Sequence, residues 1–279
     1  MYEKVSTILK DARAKKYGVA SINVFNFETV KWVIQAAEEE KIPVLAMFYP
    51  GFDSHIPTDV MTDMIKTMAN KVKVPIGMHL DHCHSFDIAA SHMKYFDSIM
   101  IDGSAMPYEE NVALTKRIVE IARNMDIDVE AELGHVGQGA NIDDMSSAHF
   151  TNPQQAAEFC ERTGCFSLAV AIGNAHGEYI ATPNLDFEHF KKIRAAVDVP
   201  LVLHGGSDIP DEQFSESVQL GMSKVNLFTQ LNRDFAAAIA KNIAAKPYFL
   251  QAAGACNEEC VNLVRKRLQV LNPNNVRVI

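Results

Sequence analysis

The 279-residue sequence lacks any excess of positive charge: 26 Lys and Arg stand against 35 Asp and Glu, a formal net charge of −9. A chain this acidic has nothing with which to neutralise a nucleic-acid backbone, so no nucleic-acid partner is expected. A single phosphate on a small molecule is not excluded, because a few backbone N–H groups hold it whatever the net charge. No apolar run approaches the ~18–20 residues needed to span a bilayer. The run at 43–49 is strand-sized, and no membrane association is expected. The opening Met-Tyr-Glu-Lys-Val-Ser lacks a basic segment followed by an apolar one, so no signal peptide and a cytoplasmic protein are expected. Cysteines are few and odd in number, five, which argues against a disulfide framework as the basis of the fold. The pairs Cys160/Cys165 and Cys256/Cys260 have no nearby His partner for a zinc site and read as thiols. Linkers, low-complexity tracts and composition shifts are also missing, so 1–279 reads as one domain, with the sizeable core that 48% hydrophobic content allows.

What is present is one unit repeated. Short apolar runs with β-branched residues recur at 18–24, 43–49, 75–81, 98–103, 128–134, 167–173, 200–206 and 224–229. Near-continuous apolar runs suit strands buried on both faces. Helical patterns fill the gaps, at 28–41, 57–72, 86–96, 107–126, 153–163, 185–197, 210–220 and 230–244, and the segment at 28–41 carries Val30, Val33, Ile34 and Ala37 at helix spacing. Residues 3–16 and 256–270 read as extra helices at the two chain ends. Eight strand–helix units predict an α/β fold, a closed (β/α)8 TIM barrel, with a doubly wound open sheet as the alternative. The longest gap lies between the fifth and sixth strands, and its first half, rich in Gly, Asn, Asp and Ser, reads as a mobile loop.

In such barrels the reactive groups sit at the carboxyl ends of strands and in the loops that follow. Three different strand ends offer a histidine: His82 after strand three, His176 after strand six and His204 after strand seven. Three imidazoles leave one tetrahedral position open, as a catalytic zinc ion requires, and imidazole also suits cobalt or iron. A single histidine at such a place is more often a hydrogen-bonded structural residue, but three of ten at one rim are hard to explain that way. His84 and His135 stand near the same rim as further candidates, whereas His55, His92, His149 and His189 read as surface residues and His79 as a strand residue facing the barrel interior.

Asp81 precedes His82 directly and is a general acid/base candidate, or else a carboxylate that orients a ligand. Successive strand residues point to opposite faces, so a site shared by both requires the alternation to break where the strand ends. Asp102 and Glu132 either hold a second cation or rigidify the rim through hydrogen bonds. Gly205-Gly206-Ser207 leaves strand seven, and Asn226 to Thr229 leave strand eight, where many barrels bind phosphate on exposed N–H groups.

Taken together, Leu80-Asp81-His82, Ile101-Asp102-Gly103-Ser104, Glu130-Ala131-Glu132-Leu133-Gly134, Ile172-Gly173-Asn174-Ala175-His176-Gly177, Leu203-His204-Gly205-Gly206-Ser207 and Lys224-Val225-Asn226 resemble the class II ketose-bisphosphate aldolases, fructose- and tagatose-bisphosphate aldolases. The resemblance implies a zinc-dependent, reversible aldol cleavage of a ketose 1,6-bisphosphate to dihydroxyacetone phosphate and a phosphorylated aldehyde. It implies that His82, His176 and His204 bind the zinc ion and that Asp81 exchanges a proton with the aldehyde oxygen. Asp102 and Glu132 match positions linked to a second or alternative metal position. Gly177, Gly205, Gly206, Ser207, Asn226, Phe228 and Thr229 match the segment that holds the dihydroxyacetone phosphate. A monovalent cation (Na+ or K+) near that phosphate, and a homodimer or homotetramer, are also in keeping with the family.

The sequence departs from the family's pattern in three places. Tyr49 stands where a small hydroxyl is usual for the phosphate. Phe228 is apolar within the phosphate-binding segment. The loop after strand five reads Gly134-His-Val-Gly-Gln-Gly-Ala-Asn-Ile-Asp-Asp144, without the usual acidic residue after a Gly-Gly pair, so the enolisation base stays unassigned among His135, Asp143 and Asp144. Two further readings remain at this stage: another metal-dependent enzyme acting on a sugar phosphate, an isomerase or hydrolase, and a non-catalytic sugar-phosphate-binding protein.

Overall fold

A computed structural model describes residues 1–137, 139, 147–246 and 248–279. In it eight parallel strands, neighbours in chain order, close into a barrel. They are β1 (Val19–Asn23), β2 (Val44–Phe48), β3 (Ile76–Cys83), β4 (Ser98–Ile101), β5 (Asp128–Leu133), β6 (Ser167–Val170), β7 (Leu201–Leu203) and β8 (Met222–Leu227). The helices are α1 (Val5–Lys15), α2 (Phe27–Glu40), α3 (Thr58–Ala69), α4 (Phe86–His92), α5 (Tyr108–Asn124), α6 (Pro153–Thr163), α7 (Phe187–Ala196), α8 (Asp211–Gln219), α9 (Thr229–Ala245) and α10 (Phe249–Val270). This is the (β/α)8 barrel, with α1 and α10 added at the chain ends.

Local chemistry explains where the helices begin and end. Asn26 and Thr29 form a reciprocal capping box at the start of α2. Ser85 accepts from Ile88 N–H at α4, and Asn152 accepts from Gln154 and Gln155 N–H at α6, with Pro153 in the first turn. Lys16, Lys41 and Gly164 end α1, α2 and α6 in the left-handed conformation.

The strands differ from the sequence expectation of two apolar faces. They alternate. Ile22, Ala46, Leu80, Ile99, Ala131 and Leu203 join the apolar layer between barrel and helices. Some of the intervening residues are apolar, such as Leu45, Met47, Met100 and Val202, but many are polar and buried, among them Asn23, His79, Asp81, Ser98, Glu130, Glu132, Lys224 and Asn226. Their hydrogen bonds run across the barrel, from β8 to β5 and from β1 and β8 to β3, so the interior holds a polar network. Buried polar atoms of this kind are stable only when paired.

The amino-end mouth of the barrel is closed by α1. Val5, Ile8, Leu9, Ala12 and Tyr17 pack on Val19 and Leu45. Gly77 permits the approach: a Cβ there would lie 2.5 Å from Leu45 Cδ2 and 3.1 Å from Ile8 Cδ1. Helix α10 lies against α2 and α9 and begins at Phe249, earlier than the residue 256 read from the sequence. Its first turns hold Ala and Gly and bury only Ala252 before Cys256, so they carry no apolar period. The five cysteines are free thiols, four of them buried. Among the described residues no helix is long and apolar enough to cross a membrane.

Candidate active site and metal centre

The carboxyl ends of β3, β5, β6 and β7 meet at one point. Ring centroids of His82 and His204 lie 4.6 Å apart, those of His82 and His176 5.0 Å, and those of His176 and His204 5.7 Å. One ligand atom from each of these histidines and one from Glu132 all lie within 4.8 Å of one another. His204 Nδ1 is 2.9 Å from His82 Nε2 and 3.6 Å from Glu132 Oε2.

Asp81 and His82 both reach this point because β3 loses its regular pleat. The β3–β4 register shifts between Leu80 and Cys83, and His82 takes φ 25°, in the left-handed region. Such a backbone is strained for a side chain with a Cβ and persists only where its surroundings hold it. Asp81 is then held by two amides, Asn23 Nδ2 at 3.2 Å and Asn226 Nδ2 at 3.3 Å.

Asp102 stands beside this group. Its Oδ2 lies 2.9 Å from His82 Nδ1 and 3.4 Å from His84 Nδ1, and these three form a second candidate metal-holding set. A carboxylate on the distal ring nitrogen leaves His82 Nε2 facing the cluster. His84 and His135 line an adjoining cavity of about 440 Å³ with Asp102, Ser104 and Met106.

A cavity of about 280 Å³ opens on the other side of His82 and His176. Gly177, Gly205, Gly206, Ser207, Asn226, Phe228 and Thr229 all line it, with Asn23 and Asp81. Helix α9 starts at Thr229, so its first N–H groups lie at the cavity wall, where that of Gln230 donates to Ser207 Oγ at 3.2 Å. Gly205 has φ 63°, and a Cβ there would lie 1.9 Å from the Ala175 carbonyl oxygen. Tyr179 ties the two loops together, its hydroxyl accepting from Ala175 N–H and donating to the Gly205 carbonyl. Asn174 donates to the His204 carbonyl from the same loop.

The electrostatics divide the group. Burial pushes His82 down, but Asp81, Asp102 and Glu132 outweigh it and lift the imidazole to about 9. Burial, and then repulsion from His82 and His204, holds His176 down at about 3. Burial also lowers His204. Burial raises Asp81, but His82, His204 and Lys224 outweigh it and keep the carboxyl below its ordinary value. Burial, with the Asp102 charge next, lifts Glu132 to about 8.

Some sequence expectations find other places. Tyr49 lines the cavity of His84 and His135 and not the cavity of Gly205 and Ser207. The Phe228 ring packs against Phe25 and Phe52, with centroids 6.2 and 5.6 Å away. His189 is half-buried, its Nε2 2.8 Å from the Thr151 carbonyl, and is not a plain surface residue. Asp143 and Asp144 lie outside the described residues. The sequence reading missed Asn23, Glu130 and Tyr179 as parts of the site and gave Lys224 no role. The alternation in Glu130-Ala131-Glu132 and Lys224-Val225-Asn226, taken with period two, would have put each pair on one face.

Residues 3–276 match the model of the family described as fructose-bisphosphate aldolase class-II. The chain belongs to this family. The Escherichia coli K12 protein YdjI, itself described as uncharacterized, is 44% identical over 234 residues, 83% of this chain and 84% of YdjI. The crystal structure of the YdjI aldolase superposes with a TM-score of 0.88 at 38% identity, covering 98% of each chain. That of a putative fructose-1,6-bisphosphate aldolase from Coccidioides immitis gives 0.87 at 28% identity, over 97% of this chain and 96% of that one. A fructose-bisphosphate aldolase from Campylobacter jejuni, 21% identical with a TM-score of 0.82 over 98% and 96% of the chains, shares the fold.

The cluster of His82, Glu132, His176 and His204 fits a divalent transition-metal ion. The Glu132 Oε2 atom is buried without a hydrogen-bond partner, and it points among three imidazole rings. An orphaned carboxylate oxygen in a dry site is costly, and a cation beside it removes that cost and favours its ionised form.

Proposed function

We propose that the protein is a metal-dependent aldolase that reversibly cleaves a phosphorylated ketose to dihydroxyacetone phosphate and an aldehyde. Fructose and tagatose 1,6-bisphosphates, which release a phosphorylated aldehyde, are the reference substrates of this reading. The observation that carries it is the meeting of His82, His176 and His204 with Asp81 beside a cavity walled by Gly205, Gly206, Ser207 and the start of α9. His82, His176 and His204 would hold a zinc ion, with Glu132 as a further donor; bound there, it supplies Lewis-acid stabilisation of the charge that develops as the C3–C4 bond breaks.

The protein's own groups do the rest. Asp81, kept ionised by His82, His204 and Lys224 despite its burial, accepts the proton of the C4 hydroxyl in cleavage and returns it in condensation. Asn23 and Asn226 aim its two oxygens. Gly205 and Gly206 let the backbone approach the phosphate, and Ser207 and the first N–H groups of α9 receive its charge. A monovalent cation beside that phosphate belongs to the same reading. Fixing the substrate by this phosphate against the reacting groups contributes up to about 7–11 kcal/mol to lowering the barrier.

A coupled cleavage assay over several ketose phosphates tests this. Chelator abolishes turnover, and zinc or cobalt restores it; turnover in protein shown metal-free by elemental analysis would refute the reading. Asp81→Ala lowers turnover about 10²–10⁴-fold, the usual loss for an acid/base group. A merely ligand-binding protein would show no exchange of the C3 proton of dihydroxyacetone phosphate into heavy water.

A further inference from the structure

Beneath the three imidazoles the barrel holds an ion pair that lines neither cavity. Glu130 on β5 and Lys224 on β8 face each other across the interior, their side chains 1% and 0% exposed. Lys224 Nζ lies 2.7 Å from Glu130 Oε1 and 2.8 Å from Oε2. A buried pair of this kind gives no stability that well-packed apolar residues would not match, because removing both charges from water is expensive. Its retention here therefore asks for another use.

The second partners of the carboxylate supply one. Ser167 Oγ donates to Oε2 at 3.1 Å, and His204 Nε2 lies 3.1 Å from Oε1. His204 is fully buried, and its other nitrogen, Nδ1, faces His82 Nε2 and Glu132 Oε2. Which nitrogen carries the proton decides whether His204 offers a lone pair to the cluster. Asn226 Nδ2, 3.2 Å from His204 Nε2, competes for that atom by asking it to accept. The same amide group lies 3.3 Å from Asp81 Oδ1, which takes its hydrogen, and a carboxylate binds an imidazole N–H more strongly than a neutral amide binds a ring lone pair.

We propose that the Lys224–Glu130 pair is a positioning device for His204: Lys224 holds Glu130 as an acceptor, Glu130 takes the His204 Nε2 hydrogen, and the Nδ1 lone pair is thereby aimed at the metal. This rests on the metal-centre reading above. His79 closes the other side of the pair without completing it, its Nδ1 2.8 Å from Ser98 Oγ and its Nε2 3.8 Å from Glu130 Oε1. Asp102 treats His82 in the opposite sense, at Nδ1, so the two rings are set to present different nitrogens.

The test replaces both charges at once. The variant Glu130→Met with Lys224→Met leaves no unpaired charge, and its folding is checked by circular dichroism and thermal unfolding. Zinc affinity, measured by competition with a chromophoric chelator, falls about 10–100-fold, the usual loss when a ligand's outer partner is removed. A folded double variant with native zinc affinity overturns the positioning role, since a pair that served only packing would leave affinity unchanged. A second measurement needs no variant. Nitrogen-15 NMR of native, zinc-loaded protein labelled at histidine shows one zinc-bound ring with its proton on Nε2. If every zinc-bound ring carries its proton on Nδ1, the proposal fails. Native protein that takes up no zinc overturns the metal-centre reading and this role together, whereas native uptake with an unaffected double variant overturns this role alone.

Discussion

Asp97 shows how one residue far from the site shapes the pH behaviour of the fold. Its Oδ1 is buried without a partner at the amino-end side of β4. Burial raises its carboxyl to about 6, against the pull of the Tyr2 hydroxyl, with the like charge of Asp128 adding to the rise. Between the ordinary value of 3.8 and about 6 the folded protein keeps a proton that the unfolded chain releases. Stability from this group is therefore greatest at the acid end and is lost as pH rises through about 6. Asp97→Asn should flatten that segment of the stability curve and raise the unfolding free energy at pH 7 by about 1–3 kcal/mol, read by urea unfolding at several pH values. A curve of unchanged slope would count against it.

At the same scale, the three rim histidines were legible in the sequence because each stands at or just past the end of a strand, and the strand ends of a barrel converge. That Asp81 and His82 share one cavity was not legible. It depends on the irregular backbone at φ 25°, which histidine adopts more readily than most residues but which no pattern in the sequence around it announces. Which cavity Tyr49 lines was not legible for a related reason: the direction of a side chain just past a strand end is set by the turn it enters, here the 3-10 turn Pro50–Ser54.

Elements carry the next set of consequences. The loop after β7 and the start of α9 make one wall, and Gly205 is the residue in it with the least room for a side chain. Gly205→Ala would force apart the loops that Tyr179 joins. The expected outcome is a cost of about 1–3 kcal/mol in stability from the φ of 63° alone, and weaker binding of dihydroxyacetone phosphate by isothermal titration. Helix α1 has a structural task at the opposite mouth. Leu9, fully buried there, should cost about 2–5 kcal/mol as Leu9→Ala, while zinc affinity stays native. Loss of both together would mean that the plug and the rim are coupled. Both chain-end helices were visible in the sequence, but the start of α10 was not, because Ala and Gly give no apolar period and Tyr248, Phe249 and Leu250 are exposed.

For the molecule as a whole, ligand binding and folding are linked. The imidazoles and Glu132 come from four different strand–loop units, so an ion that binds all of them binds the folded chain alone. Zinc at about 100 times its dissociation constant should raise the unfolding free energy by about 2.7 kcal/mol, and chelator should remove that increment. Urea unfolding with and without zinc measures it, and a His176→Ala variant should lose most of the difference.

The order of strands and helices, the eight-fold repeat and the rim where three histidines gather were determined by the sequence, because apolar periodicity and strand ends are local features that recur along the chain. The polar network of the interior, the bulge that brings Asp81 beside His82, and the Lys224–Glu130 contact with His204 were decided only by the tertiary structure. Those contacts join residues 58 to 145 positions apart, and which side chains meet across a barrel depends on its closure and register, which no single segment contains.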